Sequence, residues 1–305
     1  MPAGEAPRFR RSRIRRAFDR SAPAFSGNDF LYREMARRMG ERLDMVRITP
    51  KQILDAGCGL GADRPMLSHR YPEAQWIGVD SSQGMLAAGH SADLAATGFF
   101  RRLLNQGRNA KSQRVCADLN ALPVAGQSMD LVWSNAALHW LDDLPETFKE
   151  LNRVLQVGGL LMFSLFGPDT LKELRLATQL AVPGSVDRTL SFTDMHDVGD
   201  MLVHGGFSDP VMDMETLTLT YVDPWQALRE LKAMGSSAAT YFAANGLTTK
   251  RFWQQAIAQW PRDAEGRYPL TFELVQGHAW KMAPKQHEDG RSVVNFMPRP
   301  DRPES

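Results

Sequence analysis

A glycine-rich turn between an apolar strand and a helix constrains this chain more than any other feature of its sequence. Lys51 to Ala56 is a predicted strand, followed by Gly57-Cys58-Gly59-Leu60-Gly61 and by a helix predicted over 63–69. Glycines at such a turn let a ligand approach the backbone closely, because no side chain intervenes. The turn therefore predicts an open parallel sheet that binds a ligand at the carboxyl ends of its strands.

Strands and helices alternate along the rest of the sequence. Apolar runs predict further strands over 75–80, 114–117, 129–134, 160–165, 211–221 and 269–280, and helical spacing follows Gln83 and covers 144–155 and 224–235. The glycine pair Gly158-Gly159 is expected to separate the helix over 144–155 from the next strand. Strands that are apolar on both faces and separated by helices are typical of a parallel sheet covered on both sides.

Composition limits the classes of function. The chain has 305 residues and a formal net charge of +1, so it can bury a full core and is not, as a whole, a polycation for nucleic acid. Its two cysteines exclude a disulfide scaffold. No apolar run approaches the roughly 20 residues that a membrane span needs. We expect a cytoplasmic protein that binds no metal, membrane or nucleic acid.

The first 49 residues form a predicted basic helical segment. Seven arginines fall within the first 20 residues, and Leu31, Met35, Met39 and Leu43 recur at a spacing that predicts an amphipathic helix over 29–43. An organelle transit peptide is the alternative interpretation of the arginine-rich start. A second basic stretch, over 101–114, is predicted to be an exposed helix, and the polar residues 284–305 are predicted to be disordered.

Polar side chains follow the predicted strands at the edge where a ligand would bind. Asp80 comes about 20 residues after the glycines, where a carboxylate can accept hydrogen bonds from both hydroxyls of a ribose. Asp118 could accept from an adenine amino group while Leu119 covers the ring, and Asn135 emerges at the same edge. The alternatives are a helix cap for Asp80, a turn for Asp118, and a dinucleotide site, since Ala62 fits a variant of that fingerprint.

Together these motifs resemble the class I S-adenosylmethionine-dependent methyltransferases over about residues 50 to 165. The resemblance implies a Rossmann-like α/β fold: a mostly parallel seven-stranded sheet with helices on both faces, an N-terminal helical segment and a helical lid insertion. The methyltransferase domain is expected over 50–283, with its core over 50–221 and 269–283 and the lid over about 222–268. S-adenosylmethionine would be the cosubstrate, bound by Asp55, Ala56, Gly57, Cys58, Gly59, Asp80, Ser81, Met85, Asp118, Leu119 and Asn135.

Further segments, most of them outside this core, resemble the biotin-pathway malonyl-[acyl carrier protein] O-methyltransferases. These segments are Ala17 to Phe25, Trp133 to Trp140, Ser164 to Arg175, Leu228 to Gly235 and Gly266 to Phe272. The resemblance implies methylation of the free carboxylate of malonyl-[acyl carrier protein], an early step towards pimeloyl and biotin. Two residues depart from the family pattern: Phe25 stands where Tyr is usual, and His139 stands where Gln is common.

The chemistry of this reaction shapes the expected substrate site. A malonyl carboxylate is ionised at neutral pH and the sulfonium methyl is a strong electrophile, so no general base is expected. The protein must instead position the substrate and exclude water. The candidate substrate-positioning residues are His139, Trp140, Phe25, Arg175, Arg229 and Lys232. The arginine-rich start and the 101–114 stretch are expected to bind the acidic carrier protein.

Two alternative functions stay within the same fold. The segment around Phe166 to Arg175 and the arginine-rich start also resemble the mitochondrial complex I assembly factors of this fold, which would act on a protein partner or scaffold it. A methyltransferase of a free small carboxylic acid is the second alternative. Such an enzyme would not need the basic docking surface.

Overall fold

The structure, a computed structural model, describes residues 7–96, 112–181, 192–235 and 249–283. Within these ranges seven strands form one sheet in the order β3-β2-β1-β4-β5-β7-β6. The strands are β1 Gln52–Ala56, β2 Gln75–Asp80, β3 Ser112–Cys116, β4 Met129–Ser134, β5 Leu155–Phe166, β6 Ser208–Tyr221 and β7 Tyr268–Trp280. Strands β1 to β5 are parallel, and β7 is antiparallel to both β5 and β6. The predicted mostly parallel, seven-stranded sheet is confirmed.

Helices flank the strands throughout the described ranges. They are α1 Pro7–Phe25, α2 Phe30–Leu43, α3 Arg64–Arg70, α4 Gln83–Ala96, α5 Leu144–Val154, α6 Lys172–Ala181, α7 Met195–His204, α8 Pro224–Ala233 and α9 Lys250–Gln259, with a single 3₁₀ turn at Leu138–Trp140. None of these helices is long and apolar enough to cross a membrane. The predicted division into a basic segment, a core and a lid stays a prediction.

The central strands send alternate side chains into two separate apolar cores. Along β4, Leu131 and Trp133 join the core that α2 and α3 cover, whereas Val132 joins the core that α5 and α7 cover. Along β5, Leu160 and Leu161 divide in the same way. Side chains of a strand alternate between its two faces, so this division requires helices on both sides of the sheet, as predicted.

The N-terminal helices are part of the folded structure, with α2 packed against β5 and α1 against α4. The four apolar residues that predicted α2 are all at most 1% exposed, which confirms that prediction. In α1, the carboxylate of Asp19 accepts hydrogen bonds from Ser82 Oγ at 2.6 Å and from the backbone N–H of Gly84 at 2.9 Å. Because Ser82 and Gly84 stand at the start of α4, Asp19 fastens α1 to that helix.

The start of β5 corrects one prediction. The strand begins at Leu155, and the glycine pair lies inside it instead of ending the preceding helix. The backbone N–H of Gly158 donates to the carbonyl of Lys281, and the N–H of Lys281 donates to the carbonyl of Gly159. These bonds to the end of the β7 segment hold the glycines in the sheet. The predictions for residues 101–111 and 284–305 lie outside the described ranges.

Candidate active site

The glycine-rich turn after β1 has the backbone geometry that glycine favours. Three of its residues have positive φ angles: Gly57, Gly59 and Gly61. The N–H groups of Gly57 and Cys58 both donate to the carbonyl of Val79, at 2.8 and 3.0 Å, which ties the turn to β2. A Cβ atom on Gly57 would lie 2.2 Å from the Cβ of Ala137. Only glycine therefore fits at position 57 without displacing the segment that follows β4.

A cavity of about 570 Å³ opens at the carboxyl ends of β1 to β4. The predicted residues that line it are Asp55, Gly57, Cys58, Gly59, Asp80, Ser81, Met85, Asp118, Leu119 and Asn135, together with Phe25 and Trp140. Ala56 does not line the cavity, because it points into the core between the sheet and α5 and its carbonyl accepts from Ser134 Oγ. Residues from four separate strand ends thus converge on one space of a size typical for small-molecule sites.

Three carboxylates make one end of this cavity acidic: Asp55 is buried, and Asp63 and Asp80 are partly buried. Asp55 accepts from Trp76 Nε1 at 3.2 Å, and Asp63 accepts from Trp133 Nε1 at 2.8 Å. Burial raises the pKa of Asp55, Asp63 and Asp80, that of Asp63 to about 6. A positively charged ligand would favour their ionised forms. Asp63 was not predicted, although its place directly after the glycine turn was a signal that could have identified it.

Asp80 is held in place by two backbone N–H groups. Its Oδ2 accepts from Gly59 at 2.9 Å and its Oδ1 accepts from Ser82 at 2.7 Å. A carboxylate has about four acceptor sites, so both oxygens can still accept from hydroxyl groups of a ligand. The cap of α4 is Ser82, whose Oγ accepts from the N–H of Met85 at 3.2 Å. Ser82 therefore caps this helix, and the carboxylate of Asp80 can still accept hydrogen bonds from a ribose.

An arginine of α1 reaches the opposite end of the cavity. Arg11 Nη1 donates to Asp118 Oδ2 at 2.9 Å, while Asp118 Oδ1 accepts from the N–H of Asn120 at 3.0 Å. Further residues of α1 also line the cavity: Ser12, Ile14, Arg15 and Phe18. The i, i+3, i+4 and i+7 spacing of Arg11, Ile14, Arg15 and Phe18 was the sequence signal that α1 packs one face against the site. From the sequence, Arg11 and Arg15 were instead expected to belong to a surface patch.

Aromatic side chains form the wall of the cavity beside α1. The rings of Phe18 and Trp140 pack edge to face with centroids 5.2 Å apart, and those of Phe25 and Tyr32 are also 5.2 Å apart. The hydroxyl of Tyr32 donates to the carbonyl of Met234 at 2.9 Å. Met234 follows α8, so the aromatic wall is joined to the predicted lid.

His139 and Trp140 lie in the 3₁₀ turn after β4 but differ in their relation to the cavity. Trp140 lines both this cavity and a neighbouring apolar cavity of about 20 Å³, whereas His139 lines neither and packs against Phe166 and Phe192. Both rings are buried. Within the described ranges, Trp140 Nε1 and both ring nitrogens of His139 have no hydrogen-bond partner. Burial lowers the pKa of His139 to about 3, so the imidazole is neutral at physiological pH.

The predicted cationic anchors do not reach the cavity. Arg175 donates to the backbone carbonyls of Pro168 and Thr170, both at 3.1 Å, and so holds the turn before α6. Arg229 is 68% exposed and pairs with Asp223 at 3.0 Å, and Lys232 is exposed near the end of α8. The cations that line the cavity in the described part of the chain are Arg11 and Arg15.

Arg114, at the end of the predicted basic stretch, has a structural role. Its guanidinium lies 5.4 Å from the ring centroid of Trp76 and pairs with Asp93 at 2.9 Å. It also donates to the carbonyl of Leu60 at 2.9 Å. These contacts brace the glycine turn, so Arg114 is not free to contact a partner protein.

Comparisons with known proteins agree with this geometry. The sequence profile described as "Methyltransferase domain" matches residues 54–163, which include the glycine turn and strands β2 to β4. Three relatives bear the name malonyl-[acyl-carrier protein] O-methyltransferase. They come from Gallionella capsiferriformans (44% identical over 92% of this chain and 94% of the relative), Methylovorus sp. (44%, 95% and 95%) and Nitrosospira multiformis (45%, 90% and 90%).

Solved structures share the fold at much lower identity. The YcgJ protein of Bacillus subtilis superimposes with a TM-score of 0.54 at 15% identity, covering 80% of this chain and 98% of its own. A protein of Bacillus halodurans gives a TM-score of 0.54 at 14% identity, covering 80% and 99%. At this level of identity the likeness concerns the Rossmann-like methyltransferase fold alone.

Proposed function

This chain belongs to the malonyl-[acyl-carrier protein] O-methyltransferase family, and we propose that it methylates the free carboxylate of malonyl-[acyl carrier protein] with S-adenosylmethionine, an early step of biotin synthesis. The observation that carries the proposal is the extent of the similarity. It spans at least nine-tenths of the chain and therefore far exceeds the 110 residues of the general methyltransferase profile. The shared name of the relatives favours this function over scaffolding of a protein partner.

We propose that S-adenosylmethionine binds along the carboxyl ends of β1 to β4. Asp55, Gly57 and Gly59 would hold its methionine part, with Cys58 alongside. Asp80 would accept from the ribose hydroxyls next to Ser81 and Met85, and Asp118, Leu119 and Asn135 would border the adenine and the reacting end. Ala56 would contribute only its place in β1, because its side chain faces the core.

The acidic end of the cavity suits a cationic cosubstrate. S-adenosylmethionine supplies an electrophilic methyl group on a positively charged sulfur and also carries an ammonium group. Asp55, Asp63 and Asp80 line this end of the cavity, and removal from water raises the pKa of each carboxyl group. A cation placed near them offsets the cost of ionising them in a poorly hydrated site. This complementarity supports the cosubstrate assignment independently of the similarity to relatives.

The transfer itself needs no general base and no metal. A carboxylate oxygen bonds to the methyl carbon while the sulfur keeps the electrons of the broken bond, so no proton moves. The work of the protein is to align the two groups and keep water out. The aromatic wall of Phe18, Phe25, Tyr32 and Trp140 provides the second function, since these rings close the cavity on the side of α1.

We propose that the outer face of α1 binds the carrier protein in the cytoplasm. Arg15, Arg16 and Arg20 are exposed on this helix, and Arg15 also lines the cavity. An acidic carrier protein would be attracted to this face, and the same helix would place its acyl group at the cavity. Residues 101–111, the other predicted docking stretch, lie outside the described ranges and do not enter this proposal.

A substrate comparison tests the proposed function. Purified protein is incubated with methyl-labelled S-adenosylmethionine and, in parallel, malonyl-[acyl carrier protein], malonyl-coenzyme A or free malonate. We expect alkali-labile label on the carrier-bound substrate at the highest kcat/KM of the three. Equal or better methylation of free malonate would favour a small-acid methyltransferase. Tight cosubstrate binding with no label on any of the three would favour the scaffold.

A further inference from the structure

Three buried nitrogen atoms that have no hydrogen-bond partner among the described residues lie together beside the cavity. They are Trp140 Nε1 and the two ring nitrogens of His139, whose ring centroids are 4.9 Å apart. Two further aromatic rings surround them. The ring centroid of Phe166 lies 4.6 Å from that of His139, and the ring centroid of Phe18 lies 5.2 Å from that of Trp140. A buried N–H without a partner costs free energy, and most proteins avoid it. Its retention here points to a partner that arrives with a ligand.

The chemistry of the indole limits what that partner can be. Trp Nε1 is a hydrogen-bond donor only, so the ligand must offer an acceptor, and an ionised carboxylate is acceptor-only. Trp140 lines the cavity and also separates it from the neighbouring apolar cavity bounded by Leu231 and Met234. Trp140 therefore belongs to the wall between the cosubstrate site and the predicted lid, and its Nε1 is buried within that wall.

In the part of the chain that the structure describes, no cationic side chain is hydrogen-bonded to the rings of Trp140 or His139. The predicted anchors Arg175 and Arg229 hold carbonyls and a carboxylate elsewhere. Arg11 is engaged with the carboxylates of Asp118 and Asp142, and Arg15 is exposed to solvent. His139 is neutral because burial lowers its pKa to about 3. Trp140 and His139 thus contribute polar nitrogen atoms to this wall but no charge.

An uncharged donor suits a reaction that destroys charge. The carboxylate and the sulfonium lose their charges together as the methyl moves, so the oxygen bears less charge in the transition state than in the bound substrate. A guanidinium would stabilise the bound anion more than the transition state and would raise the barrier. A neutral N–H stabilises the bound anion less, so it can orient the carboxylate while raising the barrier less.

We propose that the indole N–H of Trp140 donates a hydrogen bond to the carboxylate of the substrate and takes the place of a cationic anchor. This inference rests on the proposed function and names how that site recognises its acceptor. His139 touches neither cavity and is a positioning residue that packs behind the indole. The acceptor class is a short acyl group that ends in a carboxylate.

Substitution of the indole by a benzene ring tests this role. Trp140→Phe keeps an apolar ring and removes the N–H. We expect kcat/KM for malonyl-[acyl carrier protein] to fall at least tenfold, about 1.4 kcal/mol, mostly through KM, while the affinity for S-adenosylmethionine changes less than twofold. Trp260→Phe is the matched control. This change also removes an indole N–H, which in the wild type donates to the carbonyl of Pro269. Trp260 lines neither of the two cavities described above.

A spectroscopic measurement makes the test independent of turnover. The chain has seven tryptophans, and loss of one indole N–H signal in Trp140→Phe assigns the Trp140 resonance. With S-adenosylhomocysteine bound, that resonance should move downfield when malonyl-[acyl carrier protein] is added. It should not move with acetyl-[acyl carrier protein], which lacks the carboxylate. If Trp140→Phe fails to fold, Phe variants of the other six tryptophans assign their indole signals, and the remaining signal is that of Trp140.

The outcomes separate this inference from the function on which it rests. Methylation by Trp140→Phe within threefold of wild type would overturn the neutral-donor role. If wild type methylates no malonyl-[acyl carrier protein], the proposed function fails. The malonyl-dependent indole shift then decides whether Trp140 binds a carboxylate, and an unmoved resonance overturns the inference as well.

Discussion

Asp80 shows how a single side chain can be prepared for a ligand by its own backbone. The N–H groups of Gly59 and Ser82 hold its two oxygens at the end of β2, where they face the cavity. Oxygens fixed in this way lose little freedom when a ribose binds, so the hydrogen bonds contribute more to affinity. The hydrogen bond from Gly59 thus both orients Asp80 and holds the glycine turn next to it.

Replacing Asp80 tests this arrangement at the level of one residue. Asp80→Ala should lower the affinity for S-adenosylmethionine at least about tenfold, or 1.4 kcal/mol, because the ribose hydroxyls lose their acceptor. Titration calorimetry measures the change. Asp130→Ala is the control, since Asp130 accepts from the N–H groups of Lys51 and Gln52 at the opposite end of the sheet. A loss of less than tenfold in Asp80→Ala, or an equal loss in both variants, would remove Asp80 from the ribose site.

Residues at strand ends could be predicted from the sequence, whereas residues brought in by distant helices could not. Asp80 and Asp118 follow recognisable strands, and the carboxyl ends of parallel strands meet at one edge. Arg11 enters through the docking of α1, more than 100 positions away from Asp118. Arg175 and Arg229 were placed near the pocket by the segments they occupy, but local partners fix their side chains.

At the level of elements, α1 closes the site because Asp19 fastens it to the start of α4. Asp19 accepts from Ser82 and Gly84, while Ser82 itself caps α4. The same helix provides Phe18 and Phe25 to the aromatic wall. Stability of the α1–α4 contact and closure of the cosubstrate cavity should therefore change together.

Asp19→Ala tests this coupling between elements. The loss of two capping hydrogen bonds should lower the free energy of unfolding by about 1–2 kcal/mol and also weaken cosubstrate binding. Urea denaturation and calorimetry measure the two effects. Asp194→Ala removes a similar cap, from the N–H of His196 at the start of α7, and should lower stability without changing affinity. Unchanged cosubstrate affinity in Asp19→Ala would show that α1 does not close the site.

Most strands and helices could be predicted to within a few residues because their apolar periodicity is strong. The bounds of β2 and β4 match their predictions, and α2 begins one residue later than predicted. The start of β5 was missed because Gly158 and Gly159 are typical of a helix stop, whereas bonds to Lys281 hold them in the sheet. Pairing with a segment 120 residues away leaves no local signal in the sequence.

For the whole molecule, the acidic cavity links cosubstrate binding to pH. Burial raises the pKa of Asp63 from 3.8 to about 6, and those of Asp55 and Asp80 also rise, although Arg114 opposes the shift at Asp55. A raised carboxyl pKa means that the folded protein holds its proton more tightly than the unfolded chain. This contribution to stability is therefore lost as pH rises from about 4 through about 6.

A cationic ligand should show the opposite dependence on pH. As Asp63 and its neighbours ionise, affinity for S-adenosylmethionine should rise at least about threefold between pH 5 and pH 7. S-adenosylhomocysteine has no charge on sulfur, so its affinity should rise less. Calorimetric titrations at several pH values measure both ligands. The same pH dependence for both would contradict a role of these carboxylates in binding the sulfonium.

The charge on the outer face of α1 bears on the choice of substrate. Changing Arg16 and Arg20 to Glu should raise KM for malonyl-[acyl carrier protein] at least about fivefold at low salt and leave malonyl-coenzyme A within twofold. Arg47 and Lys51, which are exposed outside the cavity lining, changed to Glu serve as the matched pair. Equal effects on both substrates, or from both pairs, would exclude α1 as the docking surface.

The whole fold could be predicted because the glycine turn and the alternation of strands and helices leave few other architectures. The methyl acceptor could not be derived from the same features, since the segment from Ile53 to Asp80 specifies only the cosubstrate end of the cavity. It was inferred from the similarity of other segments, such as Ala17 to Phe25, of which Phe18 and Phe25 line the cavity. The recognition of the acceptor depends on contacts across the fold that periodicity does not describe.

The most direct test of carboxyl methylation is the intact mass of the substrate protein. Malonyl-[acyl carrier protein] incubated with this enzyme and S-adenosylmethionine should gain the mass of one methylene group, and mild alkali should reverse the gain. Gly57→Ala, in which the new Cβ would clash with Ala137, should abolish it. An unchanged mass of the malonyl protein, under conditions in which the enzyme binds S-adenosylmethionine, would contradict the central claim.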